Sequence, residues 1–292
     1  MAAPRPVDAL RALLAQPRCH VMPCCYDGLS ARLIERAGFP LTFMSGFAVS
    51  AARLGLPDTG LISFAEMLDT GRNICAAISI PVIGDADTGY GNAMNVKRTV
   101  RSYARAGFAC AMIEDQRAPK RCGHTRGKQV VARAEALARV RAAVDARDEG
   151  GAGILIMART DARATHGLDE ALWRARAFED LGVDIVFVEA PASRAEMERV
   201  CATARAPQMA NMVEGGDTPI LPPRELEALG YRIAAYPLTL LSAATRATQA
   251  ALAALGRGET PPGLLPFAEL RELVGFDAYD AEQSRYAEED EA

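Results

Sequence analysis

Histidine is scarce in this chain, with three in 292 residues, at 20, 124 and 166. No C-x-x-C or H-x3-H pair accompanies them, so a closed structural zinc site is not expected. The seven cysteines (19, 24, 25, 75, 110, 122, 201) are odd in number and scattered, and Cys24, Cys110 and Cys201 fall within apolar or helical patterns. That usage suits a reduced compartment rather than a disulfide framework, and a cytoplasmic location is expected. Long apolar runs are also missing. Nothing approaches the ~18 consecutive apolar residues of a membrane span, and Asp8 and Arg11 interrupt the N-terminal stretch where a signal peptide needs an unbroken core. No single sign of charge dominates. A net charge of −4 with both signs interspersed argues against a nucleic-acid partner, and the acidic run YAEEDEA (286–292) reads as a solvated tail.

What remains is a chain half apolar and one quarter charged, as in ordinary globular enzymes. RAGF stands at 36–39 and again at 105–108, while LGV (181–183) and LGY (229–231) play the same part. Each has a helical pattern before the glycine and a short apolar run after it, as where a helix stops at a left-handed glycine and feeds a strand. Eight short apolar runs follow this scheme: HVMPC (20–24), LTFMS (41–45), PVIGDAD (81–87), CAMIED (110–115), ILIMART (154–160), IVFVEA (185–190), QMANM (208–212) and RIAAYP (232–237). Between them lie amphipathic patterns such as SRAEMERVCATA (193–204), with a Ser193/Glu196 capping box, and DEALWRARAFEDLG (169–182), with Leu172, Ala175, Phe178 and Leu181 on one face. Strands apolar throughout, alternating with helices, imply a parallel sheet covered on both faces. Eight units predict an α/β fold of the (β/α)8 TIM-barrel type. A doubly wound sheet is the alternative, but no G-x-G-x-x-G follows the first strand. The barrel is expected over residues 1–255, with a C-terminal helical arm over 256–292 beyond GRGETPPGLLP (256–266).

Polar residues gather at the ends of these runs: Asp85 and Asp87, Glu114, Arg159, Glu189 and Asn211. In a barrel, that rim is where active sites are built. Asp85 and Asp87 are two apart, so on an extended strand both would leave one face. Paired carboxylates with a third nearby suit Mg2+, a hard cation that keeps several waters. Each residue also has a plainer reading. The DTGYGN stretch could be only a turn, with Asp87 as its cap, and Arg159 could neutralise Glu189. Five strand ends sharing such residues are poorly explained by independent capping.

The loop EDQRAPKRCGHTRGKQV (114–130) sets Cys122 among Lys120, Arg121 and His124. Those cations would lower the thiol pKa if the loop brings them close. Two readings stand: a structural thiol, or one that gives or takes a proton on a loop able to close over the barrel mouth. His20 and His166 look incidental.

EDQ…PKRCGH, DADTGYGN, Ser45-Gly46, LPD (56–58), ARTDA (158–162) and ANMVEGG (210–216), in this order and spacing, resemble the isocitrate lyase/phosphoenolpyruvate mutase superfamily over essentially the whole chain. The resemblance implies a barrel whose last helix is exchanged with a neighbouring subunit, in a homotetramer of helix-swapped dimers. It implies Mg2+, or Mn2+, held by Asp85 and Asp87, with Asp58 and Glu114 in the outer shell. It places Ser45, Gly46 and Phe47 against the keto-acid carboxylate, and Arg159, Glu189 and Asn211 against substrate. Cys122 is implied as general acid on a gating loop shared with Lys120, Gly123 and His124, and Tyr26 is a possible base. The compactness of the chain points to the branch of 2-methylisocitrate and 2,3-dimethylmalate lyases, acting on a small dicarboxylate. Carboxyphosphonoenolpyruvate mutase shares Cys122 and is one alternative. Oxaloacetate hydrolase is another, although hydrolases tend to have serine where Pro237 stands. Gly28 departs from the alanine usual at that position.

Overall fold

In the computed structural model, residues 4–125, 127–151 and 153–286 are described. Eight strands form one parallel sheet in the order β6-β5-β4-β3-β2-β1-β8-β7. They are β1 (His20–Cys25), β2 (Thr42–Met44), β3 (Val82–Asp85), β4 (Cys110–Glu114), β5 (Leu155–Thr160), β6 (Ile185–Val188), β7 (Met209–Asn211) and β8 (Ile233–Tyr236). A parallel bridge between Val186 and Gln208 brings β6 beside β7 and closes the circle. Every expected run yields a strand in a (β/α)8 barrel, and closure overturns the doubly wound alternative. The glycines behind the repeat adopt positive φ, 100° at Gly107 and 112° at Gly230, each at a helix end.

Because strand side chains alternate, each strand divides its residues between two cores. Met22, Cys24, Phe43, Ile83, Met112, Met157, Phe187, Met209 and Ala235 belong to one buried cluster, which Val7, Leu10 and Leu14 of the first helix (Pro6–Leu14) join. Cys25, Met44, Val82, Ala111, Ile113, Ile156, Ala158, Val186 and Ala234 belong to the other, together with helix residues such as Ile74, Val100, Val140 and Phe178. The first cluster fills the barrel and the second mortars the helices to it.

Two local expectations are modified. The helix Arg194–Thr203 is capped by Ser193, which accepts from the Glu196 amide, but the reciprocal half of the capping box is absent. The Glu196 carboxylate instead takes the Ala192 amide and the Arg163 guanidinium. Asp87 is not a strand residue. It follows the end of β3 with φ 47°, in the left-handed region, so alternation along a strand does not set its direction.

The chain forms two compact units, 1–241 and 242–292. The second consists of most of the helix Thr239–Gly256, then Phe267–Val274, Phe276–Gln283 and a short turn of helix. The expected arm begins at 256, whereas this division falls within the helix itself. Most of the expected acidic tail, 287–292, lies outside the described residues.

Gly84, in the middle of β3, carries a packing constraint with consequences for the rim. A Cβ there would meet Phe108 at 2.6 Å and Tyr103 at 2.8 Å. Those rings stack with centroids 4.5 Å apart, and the Tyr103 hydroxyl donates to the Asp85 carbonyl at 2.8 Å. Gly84→Ala should cost about 1–3 kcal/mol of stability through overpacking, measured by denaturant unfolding. An unchanged midpoint would show that the rings yield freely.

Candidate active site

The inward cluster runs straight into the polar rim. Two residues beyond Ile83, Met112, Met157, Phe187, Met209 and Ala235 stand Asp85, Glu114, Arg159, Glu189, Asn211 and Pro237. The same alternation that fills the barrel therefore aims these groups at its C-terminal mouth. One cavity there is lined by Ser45, Phe47, Asp58, Asp85, Glu114, Lys120, Cys122, Gly123, His124, Arg159, Glu189, Asn211 and Pro237. Gly46 and Asp87 border it through hydrogen bonds to Asp85. Tyr26 is placed elsewhere, in a pocket with Asp27, Gly28 and Arg53, and burial raises its pKa.

On one side of the mouth, carboxylates crowd together. Asp85 accepts the Gly46 amide at 3.1 Å and the Asp87 amide at 3.0 Å. The Lys120 ammonium sits 2.5 Å from Asp58 and 2.7 Å from Asp87. Burial and then the neighbouring Asp87 push the Asp85 carboxyl up to about 6. Burial likewise raises Asp58 and Glu114, against the pull of Lys120 and Arg159. For Lys120, burial disfavours the charge, but Asp87, Asp85, Glu114 and Asp58 together outweigh it and hold the amine protonated.

This is a donor set with more negative charge than its one lysine balances, and Glu114 Oε1 is buried with no hydrogen-bond partner. Hard oxygen ligands with excess charge fit Mg2+ or Mn2+. Among the described residues no three His, Cys, Asp or Glu side chains gather to enclose an ion by themselves. The fit is therefore to a cation held by one or two carboxylates and otherwise by water and substrate.

On the other side, Arg159 is gripped by Asp161 through Nε at 2.8 Å and a terminal nitrogen at 3.0 Å, and reaches Glu189 at 3.2 Å. Glu189 also meets His124 Nε2 at 3.2 Å and the Asn211 amide at 3.2 Å. Burial works against the Glu189 charge, yet Arg159 and His124 prevail and keep it well below the usual carboxylate range. Behind them, Asp115 accepts from the Thr160 hydroxyl at 2.6 Å, the Asp161 amide at 2.9 Å and Arg174 at 3.0 Å, fixing the end of β5. Asp87 and Ala190, both beside the rim, are non-glycine residues at φ 47° and 56°. Such conformations cost on the order of 1 kcal/mol each and persist where surroundings over-determine them.

Cys122 lies between the two sides on a tied-down loop. The Gln116 side chain exchanges two hydrogen bonds with the Arg121 backbone, at 2.8 and 2.9 Å. His124 Nδ1 accepts the Asp217 amide at 3.1 Å. Gly123 lies so close to the rim that a Cβ would collide with the Glu189 carboxylate and the Arg159 guanidinium. The expected lowering of the thiol pKa is corrected. Burial raises it, only partly offset by the His124 amide, because Lys120 and His124 are spent on carboxylates and Arg121 is exposed. A thiol that stays protonated is poorly suited to nucleophilic attack and well suited to give a proton.

Sequence reasoning passes over Asp161 and Lys128, although ARTDA and the 114–130 loop contain them, and the apolar wall of Phe187, Met209, Val213 and Leu238. The signal for Asp161 is its place directly after β5, two residues from Arg159.

With this geometry in view, the comparisons agree. The family model described as phosphoenolpyruvate phosphomutase matches residues 10–255. The chain is 43% identical over 282 residues to a 2,3-dimethylmalate lyase of Eubacterium barkeri, covering 95% of this chain and 97% of that one. It is 42% identical to a chloroplastic carboxyvinyl-carboxyphosphonate phosphorylmutase of Arabidopsis thaliana (91% and 80% covered). It is 38% identical to a 2-methylisocitrate lyase of Aeropyrum pernix (98% and 93%). Among solved structures, a 2,3-dimethylmalate lyase superposes with TM-score 0.93 at 36% identity, covering 98% and 97%. An oxaloacetate acetylhydrolase bound to 3,3-difluorooxalacetate gives 0.92 at 36%, covering 98% of each chain. A phosphonopyruvate hydrolase complex with oxalate and Mg2+ gives 0.86 at 28%, covering 97% and 99%. The chain belongs to the phosphoenolpyruvate phosphomutase family, within the phosphoenolpyruvate mutase/isocitrate lyase superfamily.

The raised Asp85 pKa has a definite consequence for the cation-free protein. A native carboxyl that holds its proton more tightly than the unfolded chain stabilises the fold at low pH. That contribution is lost as pH rises from about 4 through about 6. The stability difference between wild type and Asp85→Asn should therefore shift against wild type by up to about 3 kcal/mol across that window, read by urea unfolding with chelator present. Adding Mg2+ at pH 8 should stabilise wild type and leave Asp85→Asn unmoved. A pH-independent difference would remove the carboxylate crowding from the account.

Proposed function

We propose that this enzyme, a carbon–carbon lyase of its superfamily, cleaves the C2–C3 bond of a 2-alkylmalate or methylisocitrate-type 2-hydroxy dicarboxylate. The products are a pyruvate-like 2-keto acid and a carboxylic acid. The observation that carries this reading is the Cys122 thiol, whose pKa burial raises, lining the same cavity as the Asp85 carboxylate and the Arg159 guanidinium, with Asp87 beside them against Lys120. The dimethylmalate and methylisocitrate lyase relatives support it.

Asp85 and Asp87 would hold Mg2+, with Asp58 and Glu114 further out, and the cation would supply positive charge to the oxygen on the carbon that becomes the keto group. Ser45, Gly46 and Phe47 orient the carboxylate of that half of the substrate. Breaking the C2–C3 bond leaves its electron pair on C3, next to the other carboxylate. Arg159, held in place by Asp161, stabilises the negative charge that spreads there. Cys122 gives its proton to C3, while Lys120, Gly123 and His124 hold the loop that excludes water. Glu189 and Asn211 fix the two neighbours of that charge, Arg159 and His124. The C2 hydroxyl proton passes to a carboxylate of the rim, where Glu114 offers a buried oxygen with no hydrogen-bond partner, since Tyr26 lies in a separate pocket.

The wall of Phe47, Phe187, Met209, Val213, Pro237 and Leu238 favours a malate carrying an alkyl group over an unsubstituted one. Pro237 offers no hydroxyl there, which weighs against the hydrolase.

The assembly we propose is a homotetramer of helix-swapped dimers. Val21, Pro23, Leu33, Ile34, Phe39 and Leu240 line an apolar groove that a helix could cover. Exposed Leu252, Leu255, Leu264 and Phe267 sit on the segment that would be exchanged. No described helix is long and apolar enough to cross a membrane. We place the enzyme in the cytoplasm, where its free thiols stay reduced.

A panel of 2,3-dimethylmalate, 2-methylisocitrate, 2-ethylmalate, citramalate and oxaloacetate, assayed for keto acid or oxalate release with Mg2+, should give keto acid from an alkylated member. Oxalate from oxaloacetate alone would make it a hydrolase, and silence with phosphorus–carbon bond formation detected would make it a mutase. In the same assay Cys122→Ser should lose about 10²–10⁴-fold in turnover while Mg2+-dependent binding of the keto-acid product survives in a thermal-shift titration. Undiminished turnover would take the thiol out of the mechanism.

A further inference from the structure

The main chain around Cys122 closes a small turn, in which the Thr125 amide and hydroxyl both donate to the Cys122 carbonyl, at 3.0 and 2.8 Å. The next carbonyl, that of Gly123, is taken by Lys128 Nζ. The same ammonium donates to Asp161 Oδ1 at 3.0 Å, and that oxygen also accepts from Arg159 at 3.0 Å. Lys128 thus joins the residue beside the thiol to the carboxylate that aims the guanidinium.

The position is an expensive one for a lysine. Its side chain is 4% exposed and Asp161 is fully buried, in a region that already holds Arg159. Burying an amine there is tolerable only with its hydrogen bonds made, and a hydrophobe would fill the space without that demand. What a hydrophobe cannot do is bind two oxygens on separate segments at once.

We propose that Lys128 is a positioning residue for Cys122. By bridging the Gly123 carbonyl to Asp161 it holds the 122–125 turn against the rim and makes the place of the thiol depend on the place of Arg159. Gln116 and His124 pin the turn on its other sides, to Arg121 and to Glu189 and Asp217. Neither of them reaches the Gly123 carbonyl.

The test reads thiol access directly, so its outcome does not depend on the substrate assignment. In the full-length protein, the rate of iodoacetamide modification of Cys122 is followed by peptide mass mapping, with Cys122→Ser as the blank. Lys128→Met should raise that rate about tenfold or more, because local opening exposes the thiol more often. Removing a nearby cation can only disfavour the thiolate, so an increase cannot be electrostatic in origin. A properly folded Lys128→Met protein whose Cys122 reacts within twofold of wild type would overturn the proposal. Should that variant fail to fold, Lys128→Gln, a shorter polar stem, carries the same two readings. A second arm rests on the lyase reading: kcat should fall about tenfold with KM changed less than threefold, since the loss concerns the placed proton donor and not ground-state binding. Faster alkylation without keto-acid chemistry would support the bridge and sink the lyase. The reverse pattern would sink the bridge alone.

Discussion

The mouth of the barrel is organised around buried negative charge that has too few partners. Asp58, Asp85, Asp87 and Glu114 share one lysine and the edge of one arginine. Carboxylates so buried either keep protons, recruit a cation, or destabilise the fold. The packing beneath them is what makes the crowding tolerable. Gly84 lets Tyr103 approach and bond the Asp85 carbonyl, and Asp85 in turn is held by two backbone amides. The backbone geometry of β3 and its turn is thereby committed to keeping these oxygens together.

The opposite side of the mouth solves the reverse problem. There Arg159 and Lys128 meet Asp161 and Glu189 two against two, with His124 beside Glu189, which is held well below the usual carboxylate range. One half of the site has charge left over for a ligand and the other has its charge settled. Cys122 stands between them, its pKa raised chiefly by burial, with the His124 amide and Arg159 only partly offsetting that. A thiol proposed to give a proton needs to hold it first, and on this loop Lys120 and His124 are engaged by carboxylates.

Fold and site differ in how far they can be read from residues alone. The barrel is legible because apolar runs and glycine stops recur along the chain, and strand alternation then carries Asp85, Glu114, Arg159, Glu189 and Asn211 to one rim. Asp87 reaches the mouth for a reason other than the expected one: its left-handed backbone, not strand alternation, sets its direction. The Cys122 pKa is misjudged when neighbours in sequence are taken as its electrostatic environment, because burial outweighs them and Lys120 and His124 face carboxylates. Lys128 and Asp161 escape notice because their pairing spans 33 residues and depends on where the loop lands. Tyr26 illustrates the same limit, since its position after β1 says nothing of which pocket it will enter.

That division also explains why sequences with this frame are hard to tell apart by chemistry. The charged rim sits at the ends of strands, where position is dictated by alternation and cannot drift without breaking the barrel. Lyase, mutase and hydrolase relatives can all be built on such a rim. Apolar contacts come from segments just beyond β7 and β8, where Val213, Pro237 and Leu238 close the cavity without a hydroxyl. Loops past the strand ends are free to change without cost to the core. Discrimination among substrates then falls to a wall of a few methyl and ring groups, each worth only about 1–3 kcal/mol. In the reaction proposed here, the rim would fix where charge and proton go, and the wall would decide which carbon is presented to them.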